Sequence, residues 1–159
     1  MEMCDVFDQS GARTGKIVAR GTELQPDEYY LVVQVWIRDE NGVYLVQQRG
    51  LHLLSSPGIW ATTAGYILSG EESIAGAVRE VSEELGIQLS SAQLKRFNRL
   101  AMNGLMQDIW LAEVSRDAMD RPVSGPEVAN WKWASKSELT QMIGRGEFFA
   151  YSYFDQLPE

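Results

Sequence analysis

A chain of 159 residues with 45% hydrophobic content has the length of one domain and enough apolar material for a single core. Its 22 acidic against 14 basic residues give a formal net charge of −8, which speaks against a nucleic-acid polymer or an anionic membrane surface as main partner. The lone cysteine, Cys4, excludes an internal disulfide and a thiolate metal cluster.

The opening stretch MEMCDVFD is acidic and lacks the basic start and long apolar core of a secretion signal. The most apolar run, residues 31–37, is far too short to span a bilayer. A single cytoplasmic domain over residues 1–159 is therefore expected. Residues 15–20 suggest a short edge strand ahead of a turn around GTELQPDE. Residues 31–38 and 43–49, rich in β-branched and aromatic side chains, flank the turn DENG and predict a hairpin. Residues 50–58 read as a loop ending in Pro-Gly, IWATTAGYIL as a strand, and SGEE as a turn into a helix. Ser69, with Glu72 three residues on, stands in capping-box order. Apolar residues then recur at 74, 77, 78, 81 and 85, one stripe at helical period, and Gly86 is placed to stop the helix. Two further strands are expected over residues 94–102 and 106–114. A polar Pro- and Gly-bearing segment leads into a strand at NWKWAS, a helix over about residues 137–143, and an aromatic-rich end, EFFAYSYFDQL. Many strands around one strong central helix predict an α/β or α+β fold with a mixed sheet.

The central helix carries an unusual crowd of charge. At 100° per residue, Glu80, Glu83 and Glu84 fall within one arc of about 100°, away from the apolar stripe. Gly76 lies on the same side one turn earlier, where glycine costs up to about 1 kcal/mol relative to alanine. Clearing space for a ligand is one use for it. Like charges at this spacing repel, so these glutamates form either a solvated face or a seat for something cationic.

The wider spacing speaks for the second reading. Gly65, five residues, Glu71, seven residues, then Arg79-Glu80-Val81-Ser82-Glu83-Glu84-Leu85-Gly86-Ile87 fits G-x5-E-x7-R-E-U-x-E-E-x-G-U, with U apolar, at every fixed position. From average residue usage, chance agreement is on the order of one in a billion windows. The chain therefore resembles the Nudix hydrolases. VYLVQQR and PGIW before the box and PEVANWKW after it extend the resemblance over roughly residues 28–140. It implies the Nudix fold, an α/β/α sandwich with a central mixed sheet. It also implies hydrolysis of a diphosphate linkage in a nucleoside diphosphate derivative or related small diphosphate, with Mg²⁺ or Mn²⁺. A diphosphate is shielded from nucleophiles by its own charge, so cleavage needs cations that neutralise its oxygens and acidify a water. Hard Mg²⁺ takes carboxylates and retained waters. By resemblance, Glu80, Glu83, Glu84 and the Gly65 carbonyl are the metal ligands, and Arg79 pairs with Glu71 as a structural brace. Glu80 or Glu83 is the favoured general base. Glu127 is a further candidate from the loop before NWKW, or else a solvated acid. Arg49 is the expected phosphate contact. Trp60 is the expected stacking contact for a base; Trp36, Tyr66 and the C-terminal aromatics read alternatively as core or dimer packing. A homodimer is the family habit.

Several positions depart from the family pattern. Ala64 replaces a second glycine, Asn130 an acid and Leu53 a lysine, while His52, the only histidine, reads as incidental. LVVQVWI, QQR and PGIW also resemble the isopentenyl-diphosphate isomerase branch. That chemistry needs a cysteine just before the box, where this chain has TTAG, and histidine ligands, one of whose places Tyr30 takes. Isomerase activity is therefore not expected. A non-catalytic nucleotide-sensing module is the other alternative; no box glutamate is lost, which favours the hydrolase. No substrate-specific signature follows or precedes the box, so the sequence leaves the diphosphate open.

Overall fold

A computed structural model describes residues 1–159. Nine strands, β1 (Met3–Phe7), β2 (Arg13–Ala19), β3 (Tyr30–Arg38), β4 (Tyr44–Arg49), β5 (Trp60–Ala61), β6 (Thr63–Tyr66), β7 (Leu94–Met102), β8 (Leu105–Glu113) and β9 (Val128–Ala134), accompany two helices, α1 (Ser73–Leu85) and α2 (Lys136–Gly144). Seven strands form one mixed sheet in the order β5-β4-β3-β8-β7, with β6 joined to β3 and β9 to β4. β3 runs parallel to β8 over its whole length and antiparallel to β4 and β6.

Alternation along β3 builds two cores. Val33, Val35 and Ile37 face α1, packing with Ala77, Val81 and Leu85. Trp36 faces the other way, joining Tyr44, Val46 and Ile109 beneath Leu139 and Met142 of α2 and Phe148, Tyr153 and Phe154 of the C-terminal segment. This is the helix–sheet–helix sandwich expected for the fold class. A strand buried on both faces reads as a nearly unbroken apolar run, as LVVQVWI does.

The differences from expectation are local. β1 was not anticipated; it pairs antiparallel with β2 to form a separate two-stranded ribbon. The run IWATTAGYIL is not one strand. Thr62 breaks it, so β5 pairs with β4 while β6 pairs with β3 at Val32–Val35. The β3–β4 hairpin accordingly keeps only the pairs Ile37–Leu45 and Arg38–Tyr44 before its strands part. Ser69 does not cap α1. The cap position is Glu72, without a side-chain hydrogen bond, and the Ser69 hydroxyl donates instead to Asp5 at 3.1 Å. Other contacts hold the helix start: Ser73 donates to the buried Asp108 at 2.6 Å, and Arg13 donates to the Glu71 carbonyl at 2.9 Å. Gly86 ends α1 in the left-handed region at φ 66°, as its placement predicts. Gly76 clears no room for a ligand. A methyl group there would lie 2.2 Å from Ile67 Cδ1, so the glycine admits a core side chain against the helix.

Candidate active site

α1 presents Glu80, Glu83 and Glu84 along the free edge of β6, and β6 presents its backbone to them. A Cβ on Gly65 would lie 2.0 Å from the Glu80 carboxyl carbon, so only glycine lets that carboxyl rest on the strand. Glu84 reaches the same edge. Its carboxyl accepts the Ala64 N–H at 3.1 Å and the Gln47 side-chain amide at 2.7 Å.

Arg79 is the hub. Its guanidinium donates to both oxygens of Glu71, at 2.7 and 3.0 Å, in the fork geometry that favours arginine over lysine. It also reaches the Tyr66 carbonyl at 3.0 Å, Glu80 at 2.8 Å and Glu83 at 3.2 Å. Glu71 in turn accepts the Leu68 N–H at 3.0 Å, tying the turn before α1 to the helix's second half.

The electrostatics follow from burial. Burial pushes the Glu80 carboxyl up to about 7, against the pull of neighbouring Arg79. It pushes Glu84 up to about 8; the hydrogen bond from Gln47 works against that rise, while Glu80 adds to it. The Arg79 guanidinium is held well above its ordinary value, first by its hydrogen bonds to Glu71. Glu83 is different, with a side chain 58% exposed. These side chains do not converge on one point: Glu80 and Glu83 share Arg79, and Glu84 is held by Gln47 and Ala64. The donor set nevertheless fits a hard divalent cation. It is all oxygen, three carboxylates, and Arg79 is the only cation that pairs with it.

A cavity of about 800 Å³ opens beside this edge, bordered by Gly65, Glu80, Glu83, Glu84, Arg49 and Glu127. Glu127 is exposed there, while the Arg49 guanidinium donates twice to the Ser55 carbonyl, at 3.0 and 2.8 Å. Trp60 is not brought to the site. It packs against the second core beside Phe148, with Lys132 4.7 Å above its ring, so the expected stacking contact is corrected to a packing one.

Of the rest of the cavity wall, sequence reasoning missed the ribbon and the sheet floor, while Tyr66 and the C-terminal aromatics were among the residues it offered for stacking or packing. The ribbon supplies Glu2 and Arg20, which pair at 2.9 Å, with Arg20 lying 4.2 Å over the Tyr66 ring. The sheet floor supplies Gln34 and Gln107, and the C-terminal segment supplies Tyr151 and Tyr153. A signal existed for Gln34, the single polar residue inside LVVQVWI.

A model of the NUDIX domain matches residues 28–157 of the chain. The chain belongs to the Nudix family. It is 35% identical to an uncharacterised Nudix hydrolase of Listeria monocytogenes over 159 residues, covering 99% of this chain and 94% of that one. It is also 28% identical to an isopentenyl-diphosphate Delta-isomerase of Streptomyces coelicolor, covering 94% of this chain and 79% of that one. Among solved structures, DR0079 of Deinococcus radiodurans superposes with a TM-score of 0.77 at 17% identity, covering 98% and 96% of the two chains. A bifunctional NMN adenylyltransferase/ADP ribose pyrophosphatase of Francisella tularensis, complexed with AMP and a Mn ion, gives 0.63 at 17% identity, with 85% of this chain and 41% of that one covered. As an enzyme the chain is of the Nudix pyrophosphohydrolase type. The Nudix match begins after the ribbon that supplies Glu2 and Arg20. No helix is long and apolar enough to cross a membrane.

Proposed function

We propose that this Nudix protein hydrolyses the diphosphate linkage of a nucleoside diphosphate derivative or related small diphosphate, with Mg²⁺ or Mn²⁺ held by Glu80, Glu83, Glu84 and the Gly65 carbonyl. The observation that carries this reading is the set of three glutamates ranged along the β6 edge, Glu80 against Gly65, beside a cavity large enough for a nucleotide-sized ligand. The metal, when bound, neutralises phosphate oxygens and acidifies a water.

The chain's own residues do the rest. Arg79 and Glu71 fix the angle between the β6 turn and α1, which holds Glu80 and Glu84 in place. Arg49 stands where it can give up a backbone partner for a phosphate oxygen. For the proton of the attacking water, Glu127 offers an exposed carboxylate and Glu83 a half-exposed one, with Glu80 the further candidate. The isomerase reading finds no support in the site, since Cys4 is 1% exposed within the ribbon and does not border the cavity.

A phosphate-release screen with Mg²⁺ and Mn²⁺ over nucleoside triphosphates, nucleotide sugars, ADP-ribose, dinucleoside polyphosphates and prenyl diphosphates tests the reading. Glu83→Gln and Glu84→Gln are each expected to lower kcat by about 10²–10⁴-fold with the circular dichroism spectrum retained. Absence of turnover of every substrate with either metal would overturn the proposal. Full turnover by both variants would do the same.

A further inference from the structure

The cavity floor is polar where its own strands are otherwise apolar. On the face of β3 and β8 that carries Trp36 and Ile109, the cavity reaches Gln34 and Gln107, with Val32 and Leu105 beside them. β6, whose edge meets the carboxylates, pairs Ala64 with Gln34, and β8 lies on the far side of β3. Strands are about 4.8 Å apart. Gln34 is therefore one step from the glutamate edge and Gln107 two steps, about 10 Å, within the same cavity.

The orientation of Gln34 is fixed by a chain of hydrogen bonds. The Trp36 indole N–H, which can only donate, gives its proton to the Tyr153 hydroxyl at 2.9 Å. Tyr153 then has one proton of its own, and it donates that to Gln34 Oε1 at 2.5 Å. Gln34 must accept through its carbonyl, so its NH₂ is presented without a protein partner. The Gln107 amide, on the same face, also makes no hydrogen bond to a protein side chain. Met102 and Phe149, both about half exposed, flank this end of the cavity with apolar surface.

We propose that Gln34 and Gln107 select the substrate by reading the hydrogen-bonding edge of a heterocyclic base, with an acceptor atom of the base opposite the Gln34 NH₂. The selected class is the nucleoside diphosphate derivative, against the prenyl diphosphate that relatives of the isomerase type are named for. This rests on the hydrolase reading of the same site. A hydrocarbon tail laid over two amides leaves their donors and acceptors unmet, and a site built to hydrogen-bond rejects a ligand that cannot.

The test compares kcat/KM for nucleoside diphosphate derivatives, for a ribose diphosphate lacking the base, and for a prenyl diphosphate, in the unmodified protein and in Gln34→Leu and Gln107→Leu. The expected result is a preference for the nucleoside over the prenyl compound of at least a hundredfold. Each substitution is expected to cut the ratio of nucleoside to base-free kcat/KM about tenfold or more, chiefly through KM. Isothermal titration of a nucleoside diphosphate against Gln34→Leu and Gln34→Glu, the latter isosteric but unable to donate from that position, reads the same subsite without catalysis. A ratio unchanged in both leucine variants, or a prenyl diphosphate used as well as a nucleoside one, overturns the inference while leaving the hydrolase standing. Loss of all turnover with base-dependent binding intact overturns the hydrolase and supports the subsite.

Discussion

Gly65 and Glu80 show how much one missing carbon does. Gly65→Ala leaves the backbone unstrained, and the atom it strikes is the end of a flexible side chain, so the fold is expected to survive. The Glu80 carboxyl must move away from the strand, however, and Mg²⁺ affinity is expected to fall about 10–100-fold, read by calorimetric titration at unchanged melting temperature. At this scale the sequence was most legible where chemistry demanded fixed spacing. The Arg79–Glu71 contact was expected from the resemblance of the Gly65–Ile87 pattern to the Nudix motif, and the guanidinium and carboxylate do meet. Gln34 left a signal but not its meaning, because one polar residue inside an apolar strand has the same appearance whether it faces a cavity or a buried partner. Only Tyr153, far along the chain, shows which. Trp60 failed for the converse reason: an aromatic near a glycine-rich turn fits core and ligand equally well.

Among the elements, α1 and the ribbon are coupled through Asp5. Its carboxyl accepts from the Gly70 N–H at 2.9 Å, the Ser69 hydroxyl at 3.1 Å and Arg13 at 3.0 Å. Burial alone would raise this carboxyl, yet these hydrogen bonds hold it below the ordinary carboxylate value. A lowered folded-state value means stability present above the unfolded value of about 3.9 and lost as pH falls through the folded one. Asp5→Asn is expected to cost about 1.5–3 kcal/mol near pH 7 and to flatten the loss of stability below pH 4, followed by urea melts across pH. The capping box at Ser69 was a misreading of this arrangement: the hydroxyl that fits a cap by spacing is taken by a strand no periodicity had marked. α1 itself makes a second prediction. Gly76→Ala should gain about 1 kcal/mol of helix propensity, but its methyl strikes Ile67 Cδ1, so a net loss of stability is expected. Ile67→Val removes that δ-methyl. Its own cost of about 0.5–1.5 kcal/mol should shrink when combined with Gly76→Ala, which a double-mutant cycle would register.

For the molecule as a whole, the sandwich was legible and its connectivity was not. Alternation along each strand indicates two buried faces. Nothing in LVVQVWI says that β6 replaces β4 beside it after two residue pairs, or that the cavity opens where the strands part. The pairing of β3 has a consequence in time as well as in space. One edge of β3 is completed by nearby segments, but the other waits for β8, joined in parallel from Tyr30–Leu105 to Arg38–Glu113 after the whole Nudix box has intervened. Pairings between distant segments pay loop closure before they gain contact, and they form slowly. Refolding followed by the fluorescence of Trp36 and Trp110 is therefore expected in milliseconds to seconds rather than microseconds. Until β8 arrives, an apolar strand lies with an open edge that another copy can extend, so the yield of soluble protein on refolding should fall as chain concentration rises.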